Sequence, residues 1–150
     1  MTQTITPAET TATTTAATPR AAKAQGAVQS AVRIVVSFLF LCHGLQGFGF
    51  FGGVDGAGGA VELGSWPGWY GSVIELVGAA LVLVGLFTRP AAVILSGVMA
   101  YAYFTVHAPE GVLPLLNMGE LSTLYCWIFL LIAAIGPGTF ALDTLRRRRR

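Results

Sequence analysis

The chain has 150 residues, 54% of them hydrophobic and only 11% charged, with a formal net charge of +2. A single domain is expected at this length. The mean hydropathy of +0.69 lies outside the soluble globular range and points to the bilayer.

Residues 1–27 are rich in Thr and Ala, contain Pro7 and Pro19, and lack an apolar period. They read as a disordered cytoplasmic tail. A cleavable signal peptide is not expected, because the apolar run that follows is too long and no small-residue cleavage site comes promptly after it. A membrane domain is expected over 28–145. Four apolar runs predict helices at about 31–51, 69–87, 91–106 and 119–135. Runs of roughly 16 to 21 residues, at about 1.5 Å each, come near a 30 Å hydrocarbon core. A re-entrant segment is the alternative for the third run. Between the runs lie a Gly-rich loop with Asp55 and Glu62, the turn Thr88-Arg89-Pro90, and a loop with Pro109, Glu110 and Pro114. Trp66, Trp69 and Tyr70 cluster where an interfacial aromatic belt would sit. The chain closes with an arginine tail at 146–150. The expected fold is therefore all-α, an antiparallel four-helix transmembrane bundle.

Charge sets the expected topology. All nine Lys and Arg lie in three places: Arg20, Lys23 and Arg33, then Arg89, then Arg146 to Arg150. Four spans put these three places on one side, and the positive-inside rule makes it the cytoplasmic side of the plasma (inner) membrane. Five arginines on a membrane protein lack the aromatic or base-reading context of a nucleic-acid site. The bilayer is their expected partner, including its anionic headgroups. Cys42 and Cys126 each lie inside an apolar run with no CxxC pair, and read as reduced packing residues.

Glu75 is the one ionisable group in the second run. A carboxyl at membrane depth faces the protein interior or a wet cavity, where it has a partner. Gly71, Glu75, Gly78 and Gly85 share a stripe, and small residues mark helix contacts in membranes. His43 falls about 12 Å below Phe51, and Glu75 about 9 Å below Trp69. Gln46 lies one turn from His43. Ser96, Ala100, Tyr103 and His107 form a stripe on the third run, and Glu120, Thr123 and Trp127 form one on the fourth, with Asn117 at its mouth. The expected ligand pocket is thus His43, Gln46, Glu75, Tyr103, His107, Asn117 and Glu120, opening outward. A structural clasp between a histidine and Glu75 and a ligand or proton-relay site are both compatible with it. Metal is not expected. His43, Glu75, His107 and Glu120 are suitable ligand types, but no HxxxH or ExxH spacing is present. No phosphate loop or Ser-His-Asp set occurs, and no residue is singled out as catalytic.

Several segments together resemble the DoxX family of four-helix membrane proteins. They are Arg33, Phe40 and His43-Gly44-Leu45-Gln46; Gly71 to Gly78 with Ile74-Glu75; Gly85-Leu86-Phe87-Thr88-Arg89-Pro90-Ala91; Asn117-Met118-Gly119-Glu120 with Tyr125; and Gly136-Pro137-Gly138 with Asp143. The resemblance runs over about 31–145. It implies an integral membrane protein, with relatives associated with a thiosulfate:quinone oxidoreductase and with membrane-bound redox or thiol-stress complexes. Many relatives carry Lys after the position of Gln46, where this chain has Gly47. The expectation is a quinone-linked subunit of an oxidoreductase assembly, with quinone as cofactor, a redox protein as partner, and no complete redox enzyme in this chain alone. The alternatives are a non-catalytic scaffold for redox or stress-response partners and a small-solute or proton carrier. Homo-oligomers are compatible with all three.

Overall fold

The computed structural model describes residues 18–148. Among them the fold is all-helical, with no strands beyond an isolated bridge between Gly53 and Gly59. The helices are α1 (Pro19–Gln46), α2 (Gly68–Val84), α3 (Thr88–Ala102), α4 (Glu120–Ile135) and α5 (Leu142–Arg148). Four of them pack antiparallel: α1 on α2, α2 on α3, and α3 on α4. Phe40 of α1 closes the group against α4, its ring 4.8 Å from that of Tyr125 and 4.9 Å from that of Phe129. One end of the bundle carries Trp66, Trp69 and Tyr70. The other carries the start of α1, the α2–α3 turn and α5. We call these the aromatic end and the arginine end.

The core is small and apolar: Phe40, Ala79, Val82, Ala92, Leu95, Met99, Phe129 and Ile132 are buried. Arg33, Ser37, Ser72, Glu75, Thr88 and Ser96 are buried with them. The outer faces of the helices expose Val35, Phe38, Leu39, Val77, Val93, Ile94, Leu124 and Leu131. Apolar surface this extensive marks contact with a membrane or with another protein. Two helical stretches are long and apolar enough to cross a membrane, Pro19–Gln46 and Thr88–Glu110; Gly68–Val84 and Glu120–Ile135 are apolar but shorter.

The helix ends depart from the sequence expectation for local reasons. α1 begins at Pro19, so residues 19–27 are helical and not part of a disordered tail; residues 1–17 of that tail lie outside the described residues. Thr18 caps it, its hydroxyl accepting the Ala21 N–H at 3.3 Å, with Pro19 at the first helical position. That pairing is a strong helix start. α1 stops at Gln46, short of Phe51, because Gly49 (φ 88°) and Gly53 (φ 65°) turn the chain. α2 stops at Val84, where Gly85 takes the left-handed conformation (φ 74°) that closes a helix. α3 starts at Thr88, ahead of Pro90, since proline is tolerated in a first turn whose N–H groups have no helical acceptor. It then continues through a wide π-helical turn (Tyr103–His107) and a 3₁₀ turn (Ala108–Glu110).

Arg33 ties the arginine end together. It is 1% exposed. Its guanidinium donates to the carbonyls of Val82 and Leu83 at the end of α2, and to those of Pro137 (2.9 Å) and Phe140 between α4 and α5. The segment after α4 also docks on α1: Gln29 Nε2 donates to Gly136 O at 2.7 Å and Phe140 N–H to Ser30 Oγ at 3.1 Å.

Asp143 caps α3 from α5, accepting the N–H of Phe87 at 3.0 Å and of Thr88 at 2.9 Å. Partial burial pushes its carboxyl upward, but the N–H donors of Thr88 and Phe87 outweigh it and hold the group below the usual carboxylate range. A depressed carboxylate stabilises the fold above its unfolded pKa of about 3.9, and that contribution disappears as pH falls through the folded value. Asp143→Ala will therefore cost about 1 kcal/mol at pH 7, the worth of a helix cap. The gap to wild type will shrink in acid, read by detergent-based unfolding at pH 7 and pH 3. An equal gap at both pH values would refute the capping role.

Candidate functional site

A polar side-chain pair joins α1 to α2. His43 Nδ1 lies 3.1 Å from Glu75 Oε2. Gly44 makes the approach possible: a Cβ there would sit 3.1 Å from Leu76 N and 3.2 Å from Glu75 Cβ. The His43 ring stacks on Phe40 at 5.6 Å with the planes 2° apart, and Phe40 is itself held by Tyr125 and Phe129. The imidazole is thus oriented by a buried aromatic on one side and a carboxylate on the other. The Glu75 side chain is 10% exposed and that of His43 44%.

His43, Gln46 and Glu75 line one cavity of about 400 Å³ near the aromatic end. Its other walls include Ser72 of α2 and Val98, Tyr101, Ala102, Thr105 and Val106 of α3 and its extension. A π-helical turn (Tyr103–His107) forms the upper part of that wall. Such turns recur at functional sites because they rotate side chains out of the regular helical register. Tyr101 continues into the aromatic cluster through Trp66, ring to ring at 6.0 Å.

The other four expected residues are elsewhere. Ser96 Oγ donates to Cys126 O at 2.8 Å, so the Ser96 stripe faces α4 and not α2. Tyr103 follows it, lining a separate apolar cavity of about 340 Å³ with Thr123, Cys126 and Trp127. The third and fourth stripes do meet, but with each other. Tyr103 Oη donates to Val112 O at 2.7 Å. His107 Nδ1 lies 3.0 Å from Asn117 O, and Asn117 bridges Gly111 O (2.6 Å) and the Gly119 N–H (2.9 Å). These bonds fold the loop before α4. Glu120 is exposed in the first turn of α4. Among the described residues, no cluster of three or more metal-ligating side chains occurs.

The DoxX family model matches residues 28–108, which hold α1 from Val28 onward, α2, α3 and both His43 and Glu75. The chain belongs to the DoxX family. It is also 47% identical over 114 residues to a Haemophilus influenzae protein described only as uncharacterized, across 74% of this chain and 84% of the relative. No solved structure matches it. This DoxX chain is accordingly membrane-associated. The family match stops at residue 108, so α4 and the loop built on Asn117 lie beyond it.

At Gly47, where many relatives have lysine, the chain leaves no room for a side chain. A Cβ there would fall 1.9 Å from Ser72 Oγ and 2.6 Å from Ser72 Cβ. The cavity wall beside Gln46 is therefore neutral in this protein. Arg33 is the residue whose role the sequence concealed. A lone arginine at the start of an apolar run reads as a topological anchor, and its carbonyl partners are 49 to 107 positions away.

Proposed function

We propose that this DoxX protein crosses the plasma membrane four times through α1 to α4, with 28–145 as the membrane domain and the arginine end in the cytoplasm. We propose further that it is the quinone-linked subunit of an oxidoreductase assembly. The exposed apolar flanks of all four helices and the segregation of Lys and Arg to one end support the first statement. The observation that carries the second is the His43–Glu75 pair in the wall of an otherwise largely apolar cavity of about 400 Å³.

That volume falls within the range of small-ligand pockets, and the lining has their usual character, apolar with a few convergent polar groups. The walls suit a flat, weakly polar ring: Val98, Ala102 and Val106 supply apolar contact, and His43 and Gln46 supply hydrogen bonds. Quinone reduction takes up two electrons and two protons; a partner protein supplies the electrons. His43 presents a proton donor to a ring oxygen. Its Nδ1–H would donate to the Glu75 carboxylate, so that the imidazolium, protonated on both nitrogens, would present Nε2–H to the ligand. Glu75 stays a carboxylate that steadies the imidazolium, and His43, whose side chain is 44% exposed, would take up each of the two protons in turn from water at the aromatic end.

The test is isolation of the full chain from its own membranes in mild detergent, with organic extraction and ultraviolet spectroscopy of the bound material. Quinone in near-stoichiometric amount and a copurifying redox protein are expected. Recovery of folded chain with neither would overturn the quinone reading.

A further inference from the structure

A cavity of about 750 Å³ lies at the opposite end from His43 and Glu75. From its position and charge we infer that it is a binding site for the headgroup of an anionic glycerophospholipid. This inference rests on the membrane-spanning reading above. The cavity lies between the start of α1, the α2–α3 turn and α5, and Arg89, Arg146, Arg147 and Asp143 all line it.

The charge balance favours an anion. Three guanidinium groups face one carboxylate, and Asp143 has both oxygens engaged by the Phe87 and Thr88 N–H groups. Among the described residues, no carboxylate lies within ion-pair distance of any of the three arginines. Arg89 uses one terminal nitrogen, Nη1, on the carbonyls of Ala133 and Ala134 at 3.0 Å each; its Nε and Nη2 make no hydrogen bond among the described residues. Arg146 has its guanidinium carbon over the Phe87 ring, 5.6 Å from the centroid, and its N–H groups make no hydrogen bond among the described residues. A planar guanidinium with free edges suits the oxygens of a phosphate.

The surroundings favour a lipid over free phosphate. Phe87 in the cavity wall is 56% exposed, and Phe140, Leu142 and Leu145 on and before α5 are exposed beside it. α5 thus offers apolar side chains next to basic ones, the pattern of a short interfacial helix. A phosphodiester with attached acyl chains satisfies both halves, and basic pockets between membrane helices on the cytoplasmic side are where such headgroups bind.

The test reconstitutes the full chain in vesicles of pure phosphatidylcholine and measures lipid association by native mass spectrometry after addition of phosphatidylglycerol. Integration into the phosphatidylcholine vesicles, judged by resistance to alkaline extraction, checks the membrane reading by itself. Phosphatidylglycerol should then be retained at least tenfold over phosphatidylcholine. Arg146→Gln and Arg147→Gln should each reduce that preference about fivefold, as expected for one charge near an anionic headgroup, and Arg146→Lys should restore most of it. Both positions are exposed, so the variants will fold. Failure to integrate overturns the membrane reading and this site with it. Integration without an anionic preference, or a preference that the glutamine variants keep, overturns the lipid site alone. Equal competition by millimolar inorganic phosphate would also overturn it, as the mark of a free-anion site.

Discussion

Arg33→Met will lower the unfolding free energy by about 3–5 kcal/mol, measured by equilibrium unfolding in mixed detergent micelles. Hydrogen bonds to a charged group contribute about 1.5–3 kcal/mol each, and the guanidinium makes bonds to four carbonyls. Burial of a charge opposes this, and buried ion pairs can often be exchanged for apolar residues at no loss. That exchange is closed here because the partners are backbone. Met removes the donor but not the carbonyls of Pro137 and Phe140, which lie between α4 and α5, where no helical ladder supplies an N–H. The loss therefore dominates. Arg33→Lys keeps the charge but not the fork that reaches two separate segments, and should cost about 1–2 kcal/mol. An Arg33→Met midpoint indistinguishable from wild type would show that the guanidinium is only a topological signal.

On the proposed quinone-linked reading, His43→Ala will slow quinone reduction by the purified assembly about 10²- to 10⁴-fold, the range for removal of a positioned proton donor. Glu75→Gln keeps the volume and a hydrogen bond to His43 but removes the charge that stabilises an imidazolium, so a loss of roughly 10²-fold is expected. A purely structural clasp predicts a different pattern. Replacing both residues by leucine would then leave assembly intact and stability unchanged or improved, because a buried pair exchanged whole for apolar groups leaves nothing unpaired. The deciding measurements are turnover with a soluble quinone analogue and its pH profile, alongside unfolding midpoints. Rates within twofold of wild type in an intact assembly would remove His43 and Glu75 from the mechanism.

The His43–Glu75 contact is legible in the sequence because two rules converge on it. An acid at membrane depth needs a partner, and antiparallel helices of known length bring specific depths together. Gln46 follows from the helical period alone. Tyr103 and His107 do not follow, because a stripe says that residues share a face and not which neighbour that face meets. Ser96, bonded to Cys126, shows that the α3 stripe belongs to α4. The residues of α3 and its extension that do line the site, Tyr101, Ala102, Thr105 and Val106, are ordinary membrane-helix residues with no polar signal to single them out. The start of α1 is readable in principle, since Thr18-Pro19 is a cap and first-turn pair, but the Thr-rich stretch before it has the composition of a disordered segment.

Composition and the order of apolar runs by themselves determined an all-helical, membrane-associated chain and the approach of His43 to Glu75. These depend on periodicity, on helix length and on the cost of leaving a carboxyl without a partner, all local quantities. Only the tertiary structure decided that Arg33 is a buried tie between α2 and the segment after α4. It also decided that Asp143 caps α3 from a distant helix, and that Asn117 and His107 close a loop away from the pocket. Each of those side chains answers to backbone groups, and every residue in a sequence carries the same backbone groups. Which carbonyl or N–H meets which side chain is set only when the helices pack.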